Sequence, residues 1–264
     1  MASFDVPTID VSPFYRLEEN EEAKKKGIEQ IREIANHEIS LELLSRSMDM
    51  YKTFFASSDE EKLLVPHNYF KSTQNPAETY EHFAELLEEM GSHFKKLGVV
   101  LEGMISECLG LPPNFLTNYK NDQCRDTKQA RENLGCFTVV YQDEVGGLEV
   151  HKNGQWIPIA LSKDKLVVNI GDVIQVLSNN RFKSATHRVV RPREANRYSC
   201  TFFYNVQGDK WVEPLPQFTK QIGESPKYRG FLFGEYMKLR IKNMTHLPDR
   251  PEDLIHITHY SISN

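Results

Sequence analysis

Between Lys165 and Asn205 the chain reads KLVVNIGDVIQVLSNNRFKSATHRVVRPREANRYSCTFFYN, and no other stretch constrains the fold as strongly. LVVNI, VIQVL and YSCTFFY are short runs rich in β-branched and aromatic residues. They are bounded by Gly171-Asp172, Ser178-Asn179-Asn180 and Pro192, which is the punctuation of an antiparallel meander. His187 is set into this meander, with Arg197 and Ser199 following at a spacing that suits adjacent antiparallel strands joined by a turn at Arg191-Pro192-Arg193. An imidazole and a guanidinium facing one pocket would serve as a metal ligand beside a carboxylate clamp. The spacing alone equally allows a buried structural histidine and a surface arginine.

The same residues carry a resemblance. GGLEVHKNGQWIPI, LVVNIGDVIQVLSNN, FKSATHRVV and RYSCTFFYN, in order between Phe137 and Pro216, resemble the C-terminal half of the plant soluble 2-oxoglutarate- and iron(II)-dependent dioxygenases. The resemblance implies that iron is held by a His-x-Asp pair and a later histidine, and that an Arg-x-Ser motif binds 2-oxoglutarate. The later histidine corresponds to His187 and the Arg-x-Ser to Arg197, Tyr198 and Ser199. Counting back from the strand in CFTVVYQDEVGGL, the His-x-Asp pair falls on Arg131, Glu132 and Asn133, so both of its ligands are replaced. Arginine has no lone pair to give, and an asparagine carbonyl is a poor substitute for an anion on a hard cation.

Two strands that the resemblance implies are not evident. Glu18 to Ala35 reads as a helix, with Ile28, Ile31 and Ile34 at helical spacing, and NHEIS follows directly where a buried strand is expected; His37 is read as a loop residue. QCRDTKQARENLG is polar where a strand carrying a 2-oxoglutarate-contacting tyrosine is expected, and Asn118-Tyr119 is read as the helix end before it. Further helices are expected over Ile39–Phe55, Phe83–Leu109, which stops at Gly110 and Pro112-Pro113, and Tyr228–Asn243. Val65 to Tyr80 is expected to be a loop, shorter than the substrate-proximal segment of the family. Asn153-Gly154 is expected to turn a hairpin, with His151 on its solvent side.

Composition adds exclusions. At 264 residues, 39% hydrophobic and 26% charged, the chain has the make-up of a globular protein with one sizeable core or two small ones. A net charge of -5 gives no electrostatic case for nucleic acid or an anionic membrane. No apolar run approaches the roughly 20 residues of a membrane span. The four cysteines, Cys108, Cys124, Cys136 and Cys200, lack metal-site spacing and are read as buried free thiols. MASFDVPTIDVSPF has no basic-then-apolar segment, so a cytoplasmic location is expected.

The expected fold is a mainly β core, a double-stranded β-helix or jelly roll with flanking helices, incomplete on one side if the two strands are absent. The expected division is a helical region over 1–125, the jelly-roll core over 126–216 and a helical extension over 217–264. The expected function is that of a 2-oxoglutarate/Fe(II) dioxygenase-family oxidoreductase acting on small specialised metabolites or hormones, impaired by Arg131 and Asn133. One alternative is an active oxygenase with substitute ligands, Glu132 foremost; another is a non-catalytic protein that binds a small acid such as 2-oxoglutarate or partners an intact relative. The sequence leaves the oligomeric state and the substrate open.

Overall fold

The structure is a computed structural model, and it describes residues 8–10, 31–35, 37–59, 78–121, 135–160, 163–190, 194–246, 250 and 253–262. Two sheets face each other. The larger is built from β1 (Thr8–Asp10), β2 (Ile31–Ala35), β3 (Phe137–Gln142), β6 (Leu166–Ile170) and β8 (Ser199–Tyr204), in the order β1-β2-β6-β3-β8. The smaller contains β4 (Leu148–Lys152), β5 (Gln155–Pro158) and β7 (His187–Val189), in the order β5-β4-β7. All pairings in the two sheets are antiparallel except β1 with β2.

Strict alternation assigns the faces of the larger sheet. Phe137, Val139 and Tyr141 of β3, Leu166, Val168 and Ile170 of β6, and Tyr204 of β8 belong to one apolar core with the helices outside. Val167, one residue out of phase, packs instead with Leu148, Val150 and Ile159 between the sheets. Thr138, Val140 and Gln142 of β3 and Ser199 and Thr201 of β8 share the register of that inner face.

The outer core is closed by α1 (Leu41–Ala56) and α2 (Glu78–Cys108). On α2 the residues Leu86, Met90, Phe94, Leu97, Leu101 and Met104 recur at three and four and are all buried. Phe94 stacks on Phe202 of β8 at 5.2 Å, and its backbone carbonyl accepts the Tyr204 hydroxyl. Gly98 makes this approach possible, since a Cβ there would lie 1.9 Å from the Tyr204 ring. The helix ends as expected, with Gly110 at φ 68 in the left-handed region and Leu111 N–H bonded to the Ser106 carbonyl at 2.9 Å. α3 (Phe115–Asn121) follows, so Asn118-Tyr119 does lie in a helix end.

Three expectations are corrected. Ile31–Ala35 is a strand rather than the end of a helix: β2 pairs with β6 from Ile31↔Asn169 to Ile34↔Leu166. The strand thought to be absent before His37 is therefore present, and the isoleucine spacing that resembled a helix is overridden by pairing on both edges. VIQVL is a helix, α4 (Asp172–Leu177), with all five of those residues buried; a short apolar run fits a buried helix turn as well as a strand. Tyr228 to Leu232 is not helical. Tyr228 bridges Ser261, β10 (Phe231–Leu232) pairs with β9 (Trp211–Val212), and α5 (Phe233–Thr245) begins only there. Gly230 is packed so closely on Trp211 that a Cβ would lie 2.6 Å from the indole nitrogen, which pins this segment to β9.

The hairpin at 153–154 forms as read, with Asn153 at φ 51 and Gly154 at φ 80. α1 occupies the expected span, with Ser40 as its cap; Leu43 is buried and Leu41 is exposed. Of the cysteines expected to be buried, Cys136 is, and burial pushes its thiol up to about 12; Cys108 and Cys200 are only half-buried, and Cys124 lies outside the described residues. Most of the Val65–Tyr80 segment, and all of Gln123–Leu134 with Arg131, Glu132 and Asn133, lie outside them as well. No described helix is long and apolar enough to cross a membrane.

His37, expected as a loop residue, is buried between β2 and α1, its Nδ1 accepting the Ile39 N–H at 3.2 Å. Burial lowers the imidazole pKa below its ordinary value, against the opposing pull of Asp164. A depressed folded-state pKa means that the unfolded chain takes up the proton first. The resulting stability is complete above the unfolded value, about 6.5, and is lost as pH falls through the folded value. The melting temperature should therefore begin to drop as the pH falls through about 6.5 and keep dropping until the folded-state imidazole also takes up its proton. His37→Asn keeps an acceptor for Ile39 but cannot titrate, and should flatten that slope in a calorimetric pH series.

Candidate functional site

β4 and β7 place His187 opposite Val150, and cross-strand neighbours share a face. Val150 packs between the sheets, so His187 stands on the inner face of the smaller sheet, although its side chain is exposed. Its Nδ1 lies 3.0 Å from the Ala185 carbonyl. A carbonyl only accepts, so Nδ1 carries the hydrogen in that contact and Nε2 keeps its lone pair. That is the ring state a metal ligand needs.

Arg197 and Ser199 lie at the entry to β8, in the other sheet. The expectation that His187 and Arg197 sit on adjacent antiparallel strands is thus corrected: β7 pairs with β4, and β8 pairs with β3. The turn after β3 packs against the segment that follows β7 and against Arg197. Gly147 is the joint. Its carbonyl accepts the N–H of Val190 at 2.8 Å, just past β7. A Cβ on Gly147 would lie 2.5 Å from the Val190 carbonyl oxygen and 3.7 Å from Arg197 Cδ, and its φ of 89 independently disfavours any side chain.

The guanidinium is held from three directions. Nε donates to the Gly146 carbonyl, Nη1 to Ser199 Oγ at 2.9 Å and Nη2 to Gln142 Oε1 at 3.3 Å. Of its five N–H groups, one on each terminal nitrogen remains to donate. Tyr198 between them turns the other way, its ring 6.0 Å from Phe55 of α1. Partial burial lowers the Arg197 pKa, and Asp143 opposes the shift; the group stays cationic throughout the working pH range.

Among the described residues no three His, Cys, Asp or Glu side chains are grouped so as to hold a metal ion. The positions expected to complete a set with His187 are Arg131 and Asn133, whose side chains offer no imidazole and no carboxylate. His151 does not substitute, because it is exposed on the outer face against Trp156 at 5.0 Å. His246, His256 and His259 are exposed, as expected.

Sequence reasoning missed three polar residues here. Gln142 and Asp143 end β3 and are buried, and nothing in FTVVYQDE marks them apart from ordinary turn residues. Asn169 is buried on the inner face of β6, its Oδ1 without a hydrogen-bond partner among the described residues. The signal for Asn169 is its place inside the otherwise apolar run LVVNI.

Comparison with known proteins bears on these features. Residues 112–206 match the 2OG-Fe(II) oxygenase superfamily. 1-Aminocyclopropane-1-carboxylate oxidase 5 of Arabidopsis thaliana is 29% identical over 311 aligned positions, covering 94% of this chain and 98% of that one. An alignment longer than the 264-residue chain means that the relative carries stretches this chain lacks. Among solved structures, JOX2 in complex with 2OG, Fe and JA is similar with a TM-score of 0.71 at 21% identity, covering 89% of this chain and 85% of that one. The dioxygenase for auxin oxidation in rice has a TM-score of 0.69 at 20% identity, with coverage of 98% and 100%. These likenesses show the jelly-roll fold.

Proposed function

We propose, from the match of residues 112–206 to the 2OG-Fe(II) oxygenase superfamily, that the chain is a member of it that retains the keto-acid seat of such enzymes but not their iron-holding set. The observation that carries this reading is the guanidinium of Arg197, fixed by Ser199, Gln142 and Gly146 with two donors left over. In this reading Arg197 binds the far carboxylate of 2-oxoglutarate or a similar dicarboxylic acid. Ser199 and Gln142 hold the fork planar to that carboxylate, and the space between the sheets takes the rest of the molecule. Relatives that load iron beside the keto acid use it for oxidation of small molecules; here His187 alone supplies an imidazole, so no step is assigned to the metal.

A cation at residue 131 and a neutral amide at residue 133 support impaired metal binding on two grounds. The first repels Fe(II), and the second cannot neutralise it. Arg131 also adds positive charge that an acid ligand would favour.

Calorimetry of the metal-free chain with 2-oxoglutarate should give saturable heat. Anaerobic addition of Fe(II) with 2-oxoglutarate should give neither the visible charge-transfer band of a metal chelate nor succinate once oxygen is admitted. A band and succinate at one equivalent would overturn the impaired reading in favour of an oxygenase with a substitute carboxylate such as Glu132. The absence of heat at millimolar ligand would overturn the acid seat.

A further inference from the structure

We propose that Asp143 is the positioning residue of the acid seat, its buried carboxylate fixing both the backbone beside Arg197 and the turn whose carbonyl holds the Arg197 Nε. The purpose of this ordering rests on the acid-binding reading; the ordering itself does not.

The β3–β8 ladder ends at Gln142↔Ser199, and Asp143 carries the connection one residue further. Its amide donates to the Tyr198 carbonyl at 3.1 Å, and its Oδ2 accepts the Tyr198 N–H at 2.6 Å. Both backbone groups of the residue next to Arg197 are thereby tied to Asp143. The other oxygen, Oδ1, accepts the Val145 N–H at 3.1 Å, closing a turn that a side-chain acceptor two residues back favours. That turn delivers Gly146 and Gly147 with φ of 72 and 89, and the Gly146 carbonyl receives the Arg197 Nε–H.

Only a carboxylate can do this at Asp143. The residue is 4% exposed, and its two oxygens accept from two N–H groups on different segments. Asparagine would present one oxygen and one NH₂, setting a donor against a donor at either Tyr198 or Val145. From outside, α1 braces the same turn, with Lys52 3.5 Å from Glu144 and Phe55 against Tyr198. Loss of the carboxylate therefore leaves the turn attached but frees its inner edge, where Arg197 sits.

The test is Asp143→Asn, read by the ¹⁵N–¹H resonance of Arg197 Nε, assigned by its disappearance in Arg197→Lys, and by 2-oxoglutarate calorimetry on the metal-free chain. In the parent protein the Arg197 Nε–H should exchange with solvent at least about tenfold more slowly than exposed arginines do. In Asp143→Asn it should exchange at the exposed rate, and the ligand dissociation constant should rise at least about tenfold. A purely structural role would lower the melting temperature and leave both readouts alone. Asp143→Ser, which removes the donor-to-donor clash, provides the same two readouts if the asparagine variant does not fold. Continued Nε–H protection in a folded variant overturns the proposal. Parent protein with a protected Nε–H but no 2-oxoglutarate heat overturns the acid-seat reading instead, and the exchange measurement still decides the role of Asp143.

Discussion

Arg131→His combined with Asn133→Asp should raise the affinity of the chain for divalent metal by at least about 100-fold, because in the proposed register it supplies the imidazole and the carboxylate that the family resemblance pairs with His187. Loss of a single outer partner of a metal ligand costs roughly 10 to 100-fold, and two inner ligands should count for more. His187 is prepared for the role: the Ala185 carbonyl takes the Nδ1 hydrogen and leaves Nε2 its lone pair. Each single variant should give much less than half of the logarithmic gain, since a facial set of two imidazoles and one carboxylate closes only when all three are present. Anaerobic titration with Co(II), followed by its visible absorption, reads the affinity without turnover. Binding by mass action should also raise the melting temperature of the double variant progressively with metal concentration. If the double variant binds Co(II) no better than the parent, residues 131 and 133 do not converge on His187, and the register on which the impaired reading depends is wrong.

Much of this architecture was legible because alternation and burial agree. In β3 and β8 alternate residues pack outward into the apolar core, as the β-branched and aromatic runs predict, while the pairing from Phe137↔Tyr204 to Gln142↔Ser199 is seen only in the structure. Local patterns failed where two periodicities coincide. Ile28, Ile31 and Ile34 satisfy a helical spacing, yet the segment from Ile31 is fixed by ladders to β1 and β6, which no local window contains. VIQVL is buried on all sides in α4, so it has no polar phase to reveal its period.

The site was legible only in its residue types. The spacing of His187 and Arg197 suits neighbouring strands of one hairpin, whereas their strands belong to different sheets and Gly147 packs against Val190 and Arg197. Sequence separation carries no information about such a placement. Asp143 was invisible for a related reason, because its importance lies in contacts to Tyr198, 55 positions away.

Arg197→Ala should weaken 2-oxoglutarate binding by about 100-fold or more, a loss of roughly 3 kcal/mol, since it removes a charge-assisted two-pronged contact from a partly desolvated setting. Arg197→Lys should recover only a small part of this. An ammonium is a point charge with three donors, and it cannot serve Gly146, Ser199 and Gln142 at once while presenting a parallel pair to the ligand. It would also leave Gln142 Oε1, a buried acceptor, without its present donor. Because the guanidinium stays protonated, affinity should be level with pH until the ligand carboxylate itself is protonated near about pH 4. Arg188→Ala is the matching control. Arg188 is an arginine on the outer face of β7, engaged by Glu149 at 2.7 Å and lying over Trp156 at 4.2 Å. Its removal changes net charge as much as loss of Arg197 does and should leave the dissociation constant within about twofold, given how strongly salt screens an exposed charge. Equal losses in the two alanine variants would mean that 2-oxoglutarate responds to the overall field of the protein and not to a built seat at Arg197.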